Sequence, residues 1–381
     1  MKQIPVPELQ SKPHYEVLDG LRGVAAVSIV VFHFLEFVYL DYSKNFLGHG
    51  FLAVDFFFCL SGFVIGYAYD DRVEKIGVWK FFKARLIRLH PLVILGSILG
   101  LLGFLVDPFS DKQVYYNAGK LFLIFLSSIF LIPFPVMAER GFGLFGFNTP
   151  SWSLFFEYVA NIVYVLILYK MRRRYLLFLS ILSAGSLCFV SYRAGTLIGG
   201  WDGNSFWDGC ARISYSFLAG LLVYRFNWII KTRLGFIGLS VLLLLTFVVP
   251  YFKWNWLVES LIVLLYFPLL IAAGAGAALT KGFKKLCIFL GKISYPLYMT
   301  HIPVIWMFGN YYNNQKVGTL QLFLIITVGT VLLFGLAYLV MIIYDIPIRK
   351  YLNAKTTIKK DLNAHDGDNI VNREKIRASK G

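Results

Sequence analysis

The feature that most constrains this chain is a succession of long apolar blocks separated by short polar connections. Eleven blocks occur between residues 19 and 344, and two of the longest cover residues 234–252 and 320–344. A run of about 20 apolar residues can cross the hydrocarbon core of a bilayer as a helix. In lipid the backbone must bond to itself, which favours helices over open strands. The fold class we predict is therefore all-α, a polytopic integral membrane helix bundle.

Positive charge marks the connections between these blocks. The formal net charge is +16, and the cations form clusters at residues 75–88, 170–174, 225–233, 281–285 and 349–380. The positive-inside rule places all of these clusters in the cytoplasm. Eleven full crossings would put the cluster at 170–174 outside. The block at 120–138 is the best candidate for one that does not cross, because it ends in Pro133 and Pro135 and leads into a glycine-rich stretch. We predict about ten transmembrane helices plus one re-entrant or interfacial segment, with both termini cytoplasmic.

The same pattern predicts three regions. Residues 1–14 form a cytoplasmic N-terminal segment, residues 15–346 the membrane domain, and residues 347–381 a basic cytoplasmic tail that is expected to be disordered. Nucleic-acid binding is not expected, because the cations lie in connections rather than on a soluble basic domain. The four cysteines have no ligand-like spacing, so neither a structural disulfide nor a metal site is expected.

The first apolar block holds ionisable side chains, which are costly in lipid and are therefore candidates for function. It contains Asp19, Arg22, His33 and Glu36. Arg22 and His33 are eleven residues apart, which places them on one helical face and about 16 Å apart along the axis. Glu36 lies one turn beyond His33 and could orient its imidazole. The alternatives are an arginine that reaches the interface beside Asp19, and a histidine that only packs.

Two further segments carry polar groups near the cytoplasmic side. The second block contains Asp55 and Ser61, and Gly62 beside them makes close helix packing the alternative interpretation. Arg85 and Arg88 share one helical face at the start of the third block. Paired arginines suit phosphate, because the planar guanidinium binds it bidentately. The alternative is charge that only sets topology.

Later blocks add a carboxylate and a proline-containing span. Glu157 lies about two turns inside a helix, where an isolated carboxylate must be neutral or paired. Tyr295 and His301 lie in a span that also contains Pro296 and Pro303. Prolines leave backbone carbonyls unbonded, which favours a helix that lines a cavity. The alternative for His301 is again a packing role.

Taken in order, these segments resemble the acyltransferase-3 family of integral membrane O-acyltransferases. The match comprises Arg-x10-His at Arg22 and His33, Arg-x-x-Arg at Arg85 and Arg88, and the segments LDGLRGVAA, VDFFFCLSGF, PSWSLFFEY and ISYPLYMTHIP. It covers most of the chain, from Tyr15 to about Tyr344. The ordered set is far more specific than any one of its motifs.

The resemblance implies an enzyme of the bacterial inner membrane. Such an enzyme takes an acyl group, often acetyl, from cytoplasmic acyl-CoA and passes it to a hydroxyl of an extracytoplasmic glycan, such as a cell-surface polysaccharide or lipopolysaccharide O-antigen. It implies catalytic roles for His33 and Glu157, and acyl-CoA contacts for Arg22, Arg85 and Arg88. The supporting residues expected around them are Asp19, Glu36, Asp55, Ser61, Trp152, Tyr295 and His301.

The same resemblance sets the expected ligands and partners. Acyl-CoA is a donor substrate, and no permanently bound cofactor is expected. The partners are this donor, a glycan or glycolipid acceptor and the lipid bilayer, while the oligomeric state stays open. Two features depart from the family. Some members carry an esterase-like domain after the membrane part, whereas this chain stops at a short tail, and Tyr158 follows Glu157 where another acidic residue is common.

Two chemical routes and two other classes of protein stay open. His33 could act as a general base or could carry the acyl group itself. A proton-coupled transporter or flippase is the main alternative, since intramembrane His, Glu and Arg also build proton relays. Inverted repeats and paired broken helices would support transport, and the sequence shows neither clearly. A purely structural scaffold leaves Arg22, His33 and Glu157 unexplained.

Overall fold

The structure, a computed structural model, describes residues 14–279, 281–315 and 317–355. Within these residues the regular secondary structure is helical, and apart from two isolated bridges no β-pairing occurs, which confirms the all-α prediction. The α-helices of the described chain are α1 (Glu16–Val38), α2 (Ala53–Tyr69), α3 (Val73–Ile76), α4 (Val78–Leu105), α5 (Ala118–Ile129), α6 (Ser151–Leu166), α7 (Arg173–Ala194), α8 (Phe206–Arg225), α9 (Gly235–Phe247), α10 (Asn255–Leu261), α11 (Phe267–Gly276), α12 (Lys284–Gln315) and α13 (Thr319–Val340).

Six helical stretches of the described chain are long and apolar enough to cross a bilayer. They are Glu16–Val38, Gly50–Tyr69, Val78–Leu105, Arg173–Ala194, Asn255–Gly276 and Thr319–Lys355. The 12 residues of α5 span only about 18 Å, against a hydrocarbon core of about 30 Å. This length accords with a re-entrant or interfacial segment. The total of about ten crossings stays a prediction.

Three helices run in the same direction through the centre of the bundle. Along α1 and α12, Arg22 contacts Gly291 and His33 contacts His301, so the two helices are parallel. Gly23 allows their close approach, since a Cβ there would lie 3.0 Å from the backbone of Leu290. The third helix, α4, is tied to α12 near one end by Leu89 and near the other by Asp107. One end of this trio therefore carries Arg22, Arg85 and Arg88, and the other end carries Asp107 and Trp306.

A second close pair is formed by α2 and α8. Added Cβ atoms at Gly62 and Gly220 would collide with the backbone of the facing helix, so only glycine permits this spacing. Asp55 of α2 and Arg212 of α8 are buried between them and are bonded through Nη2–Oδ2 at 2.6 Å and Nε–Oδ1 at 3.1 Å. Arg212 also donates to the carbonyl of Gly199 at 2.7 Å. This ion pair fixes α2 and α8 against the loop that precedes α8.

The last helical stretch extends further than we predicted. It continues through a π-helical turn, Met341–Asp345, to Lys355. Residues 347–355 are thus helical rather than part of a disordered tail. The side chain of Arg349 pairs with that of Asp345 one turn earlier, which supports the added turns. The rest of the predicted tail, and all but His14 of the predicted N-terminal segment, lie outside the described residues.

Candidate active site

A cavity of about 310 Å³ opens at the arginine-bearing end of the central trio. It is enclosed by α1, α2, α4, α6, α12 and the last helical stretch. Its size is at the lower end of the range for small-molecule sites. Cations outnumber carboxylates in its charged lining, which comprises Asp19, Arg22, Arg85, Arg88, Glu157, Lys292, Asp345 and Arg349. The arginines that the sequence motifs single out thus converge on one cavity from α1 and α4.

Arg22 is held in place by the neighbouring turn of α12. Its Nε donates to Oγ of Ser294 at 3.0 Å, and its Nη2 donates to the carbonyl oxygen of Gly291. Asp19 lies one turn earlier on α1, with a carboxylate oxygen 3.3 Å from Nη2. Gly291 has no side chain to displace Asp19, which packs directly over it. Arg22 therefore has a fixed orientation towards the cavity instead of reaching out to the bilayer interface.

Arg85 and Glu157 form an ion pair across the cavity. Nη2 of Arg85 lies 2.5 Å from Oε1 of Glu157, and the hydroxyl of Ser61 donates to the same oxygen at 3.0 Å. Arg85 is buried, and the Glu157 side chain is 19% exposed. The structure thus meets the requirement that a carboxylate at this depth be paired. It also brings together three residues that were singled out from three separate segments.

Arg88 differs from Arg85 in its surroundings. It lies one helical turn further along α4, lines the same cavity and is exposed to solvent. Arg88 and Lys292 are the exposed cations of this lining, whereas Arg85 is buried and already paired with Glu157. The sequence predicted the same role for both arginines, whereas their surroundings in the structure differ.

Two lining cations were missed by the sequence analysis. Lys292 lies on α12, and Arg349 lies on the last helical stretch beside Asp345. Arg349 was counted only as a topology-setting charge at the start of the tail. Lys292 stands inside an apolar block, in the segment FLGKISYPLY, and the cost of an ionisable group at such a position was the signal that could have found it.

Aromatic hydroxyls line the wall that α12 contributes. Tyr295 donates to the carbonyl of Leu89 at 2.6 Å, which joins α12 to α4. The hydroxyl of Tyr298 lies 2.8 Å from that of Ser153 on α6. Both tyrosines border the cavity, so α12 lines it as the prolines of that span predicted.

His33 lies beyond the inner wall of this cavity rather than in its lining. Its Nδ1 is 2.8 Å from a carboxylate oxygen of Glu36, and its ring stacks on that of His301 with centroids 5.3 Å apart. The ring of His301 in turn lies 5.9 Å from that of Tyr298, which does line the cavity. Moving away from the cavity, one therefore meets the ring of Tyr298 first, then that of His301, and then that of His33.

His301 is fully buried and has a defined tautomer. Its Nδ1 lies 3.1 Å from the carbonyl oxygen of Leu297, which can only accept, so Nδ1 carries the hydrogen. The neutral ring then has its lone pair on Nε2, and this atom is buried without a hydrogen-bond partner. A buried acceptor of this kind is available to a ligand hydroxyl.

Two of the expected supporting residues lie away from the cavity. Asp55 is occupied by Arg212, and the ring centroid of Trp152 lies 5.1 Å from the guanidinium of the same arginine. Neither residue is part of the cavity lining, although Val54 and Ser153 beside them are. Asp55 thus belongs to an ion pair that holds helices together, and Trp152 packs against it, so any support they give the site is through the positions of α2 and α6.

The sequence of the chain matches a known family over most of its length. Residues 15–342 match the acyltransferase-3 family, described as an acyltransferase domain. The chain belongs to this family. The chain is also similar to the O-acetyltransferase OatA of Staphylococcus aureus, with 24% identity over 364 residues. That alignment covers 87% of this chain but 57% of the relative.

A second relative is shorter and more similar. Protein 2 in the picA locus of Rhizobium radiobacter is 36% identical over 165 residues, which is 41% of this chain and 83% of that protein. By contrast, the chain spans little more than half, 57%, of the length of the S. aureus relative. No solved structure matches the chain. Membership of the family, together with the apolar helices, shows a membrane acyltransferase.

Proposed function

We propose that the chain transfers an acyl group, most simply acetyl, from cytoplasmic acyl-CoA to a hydroxyl of an extracytoplasmic glycan. The observation that carries this proposal is the convergence of Arg22, Arg85 and Arg88 on one cavity. CoA is polyanionic at its nucleotide end and thin along its pantetheine arm. A cavity lined by more cations than carboxylates, which extends to Tyr298, suits both parts. The O-acetyltransferase name of the S. aureus relative favours acetyl as the acyl group.

The charges of the cavity divide the donor site into two parts. Arg88 and Lys292 would bind the phosphates of CoA, because among the described residues neither is paired with a carboxylate, whereas Arg85 is paired with Glu157 and Arg349 with Asp345. Arg85 and Glu157, together with Ser61, would form the wall along which the pantetheine arm passes. Arg22 lines the same cavity from the helix that also carries His33.

The chemistry follows from the position of His33. In the general-base route, Nε2 of the neutral imidazole accepts the proton of the acceptor hydroxyl as that oxygen attacks the thioester carbonyl. Glu36 accepts the hydrogen on Nδ1, so it orients the ring and stabilises the cation that forms. Collapse of the tetrahedral intermediate breaks the C–S bond, and the CoA thiolate recovers the proton from His33. In the second route the imidazole itself is acylated before the hydroxyl attacks.

The proposal is tested with the full chain reconstituted in nanodiscs. Radiolabelled acetyl-CoA is supplied on its own and then with glycan extracted from the source envelope, and labelled product is identified by mass spectrometry. We expect the label to appear on glycan hydroxyls with release of free CoA. Tight CoA binding without transfer to any hydroxyl would contradict it, and movement of unmodified glycan across the membrane would support a transporter instead.

A further inference from the structure

A buried arginine lies at the end of the central trio opposite the cavity. Arg140 belongs to a short 3₁₀ turn, Ala138–Arg140, in the connection between α5 and α6. Its guanidinium lies 4.1 Å from the ring centroid of Trp306 on α12. The indole of Trp306 in turn meets the ring of Phe37 edge to face, with centroids 4.9 Å apart. Phe37 follows Glu36 on α1, so continuous contacts connect Arg140 to the His33 region.

The guanidinium of Arg140 is enclosed by rings but is short of hydrogen-bond partners. The side chain is buried, at 6% exposure. In addition to Trp306, the ring of Phe104 contacts the guanidinium, with its centroid 5.6 Å away. Nη1 is buried without a hydrogen-bond partner. Burial lowers the pKa of Arg140 to about 10, so it remains protonated at neutral pH. A buried cation of this kind is costly unless something bonds to it.

The two nearest carboxylates are engaged with other groups. Glu139 accepts a hydrogen bond from the hydroxyl of Tyr116 at 2.8 Å. Asp107 accepts from the side chain of Asn310 at 2.7 Å and from the backbone N–H of Phe109 at 2.9 Å. Within the described residues, neither carboxylate forms an ion pair with Arg140 within 4.0 Å. The two carboxylates stabilise the charge of Arg140 through space and leave its N–H groups available.

We propose that Arg140 and Trp306 recognise an anionic group, a carboxylate or a phosphate, on the sugar that accepts the acyl group. This inference deepens the proposed function and rests on it. The N–H edge of a guanidinium that stacks on an indole can still bind two oxygens of such a group. Trp306 lies five residues beyond His301 on α12, which is about 7.5 Å along the helix. The anionic group would therefore be on the reacting sugar or on its immediate neighbour.

Direct binding measurements test this without depending on catalysis. The full chain in phosphatidylcholine nanodiscs is titrated with a glucuronate-containing tetrasaccharide, with its carboxyl-reduced counterpart, and with a glycerol-phosphate oligomer. We expect the wild type to prefer at least one anionic probe over the neutral one. Arg140→Gln should weaken binding of that probe about tenfold or more, as expected for a lost charge-assisted bond. It should leave the neutral probe and CoA affinity unchanged.

Two further variants control for charge and for folding. Lys120→Gln removes an exposed cation from the same region, where it lies over the ring of Tyr116, and should leave all affinities unchanged. Arg140→Lys keeps the charge without the planar fork, so its affinity for the anionic probe should fall between those of the wild type and Arg140→Gln.

Equal weakening of acidic and neutral probes, or no wild-type preference for anionic probes, would overturn the inference. So would the loss of that preference when phosphatidylglycerol nanodiscs are used, since a lipid headgroup would then be the ligand. Selective binding without any acyl transfer would instead contradict the proposed function.

Discussion

His33 and His301 stack on each other with ring centroids 5.3 Å apart and an interplanar angle of 27°. They come from two parallel helices, and each has a separate partner for Nδ1, Glu36 in one case and the carbonyl of Leu297 in the other. Both partners occupy Nδ1, so Nε2 is the nitrogen of each ring that remains for a substrate. The pair lies between the arginine-lined cavity and the Trp306 end of α12, where a donor and an acceptor arriving from opposite ends would meet.

Replacement of His33 is the most direct test of its chemical role. A glutamine can keep a hydrogen bond to Glu36, but an amide neither accepts a proton near pH 7 nor acts as a nucleophile. General-base catalysis is typically worth about 10²–10⁴-fold in rate. We expect His33→Gln to insert normally, to bind CoA with unchanged affinity, and to lose acyl transfer almost completely. Transfer is measured in membranes at matched protein level, and a rate within about threefold of the wild type would be far outside that range.

His301 is predicted to contribute a hydrogen bond rather than the proton transfer itself. His301→Phe keeps an aromatic ring against His33 and removes Nε2. The loss of one neutral hydrogen bond, about 0.5–1.5 kcal/mol, corresponds to about a 2–10-fold fall in kcat/KM for the acceptor. His301→Gln retains a hydrogen-bonding group and should be less affected. If His301→Phe is as active as the wild type, stacking alone accounts for His301.

Arg85 and Arg88 should separate stability from donor binding. Arg88 is exposed in the cavity, so Arg88→Gln should weaken acyl-CoA binding about 10–150-fold, the range of about 1.5–3 kcal/mol for a bond to a charged group, and should leave the melting temperature unchanged. Arg85→Gln leaves Glu157 without its ion-pair partner and should lower the melting temperature as well. Calorimetric CoA titration and thermal unfolding in detergent measure the two effects. Equal stability of both variants would mean that the Arg85–Glu157 pair is dispensable for folding.

The part of the site that could be predicted consists of polar and ionisable side chains inside apolar segments. The free-energy cost of burying such a group in lipid can be recognised from its neighbours in the sequence. Arg22, Ser61, Glu157 and Tyr295 were singled out from short segments, and the structure places them around one cavity. Asp55 was singled out on the same grounds, but its partner Arg212 lies 157 residues later. Hydrophobic patterning carries no information about such a pairing. A buried carboxylate that serves packing therefore looked the same as one that serves chemistry.

The helices themselves were predictable because the length of an apolar run can be read directly from the sequence. The residues at which the helices end were harder to predict. The predicted boundary at residue 346 fell short because Pro347 and the charges around it look like the end of a span. In the structure the pair of Asp345 and Arg349 continues the helix past that proline. The same pair holds Arg349 beside the cavity, whereas in the sequence Arg349 only begins a basic cluster and was therefore assigned to topology alone.

Membrane topology provides a prediction that is independent of catalysis. A reporter fused after Arg174 should report the cytoplasm, and one placed in the loop at residues 195–204 should report the outside. The reason is that α5 is too short for a full crossing, so the basic cluster at 170–174 returns to the cytoplasmic side. A soluble cytoplasmic protein that carries the same reporter serves as the cytoplasmic control. An external signal at Arg174 would mean that the block at 120–138 crosses fully.

The ion pair of Arg212 and Asp55 should carry more of the stability than any exposed pair. Arg212→Ala removes the partner of a carboxylate that is fully buried between α2 and α8, and breaking such a pair typically costs about 3–5 kcal/mol. We expect a large fall in the melting temperature in detergent, together with reduced accumulation in membranes. Lys44→Ala breaks the exposed pair with Asp41 and should cause no measurable change. The double variant Arg212→Met, Asp55→Leu replaces both charges by apolar groups and should recover much of the loss, because the cost comes from an unpaired buried charge. If the double variant is no more stable than Arg212→Ala, the bonds from Arg212 to the loop carbonyls, rather than its pairing with Asp55, hold α2 and α8 together.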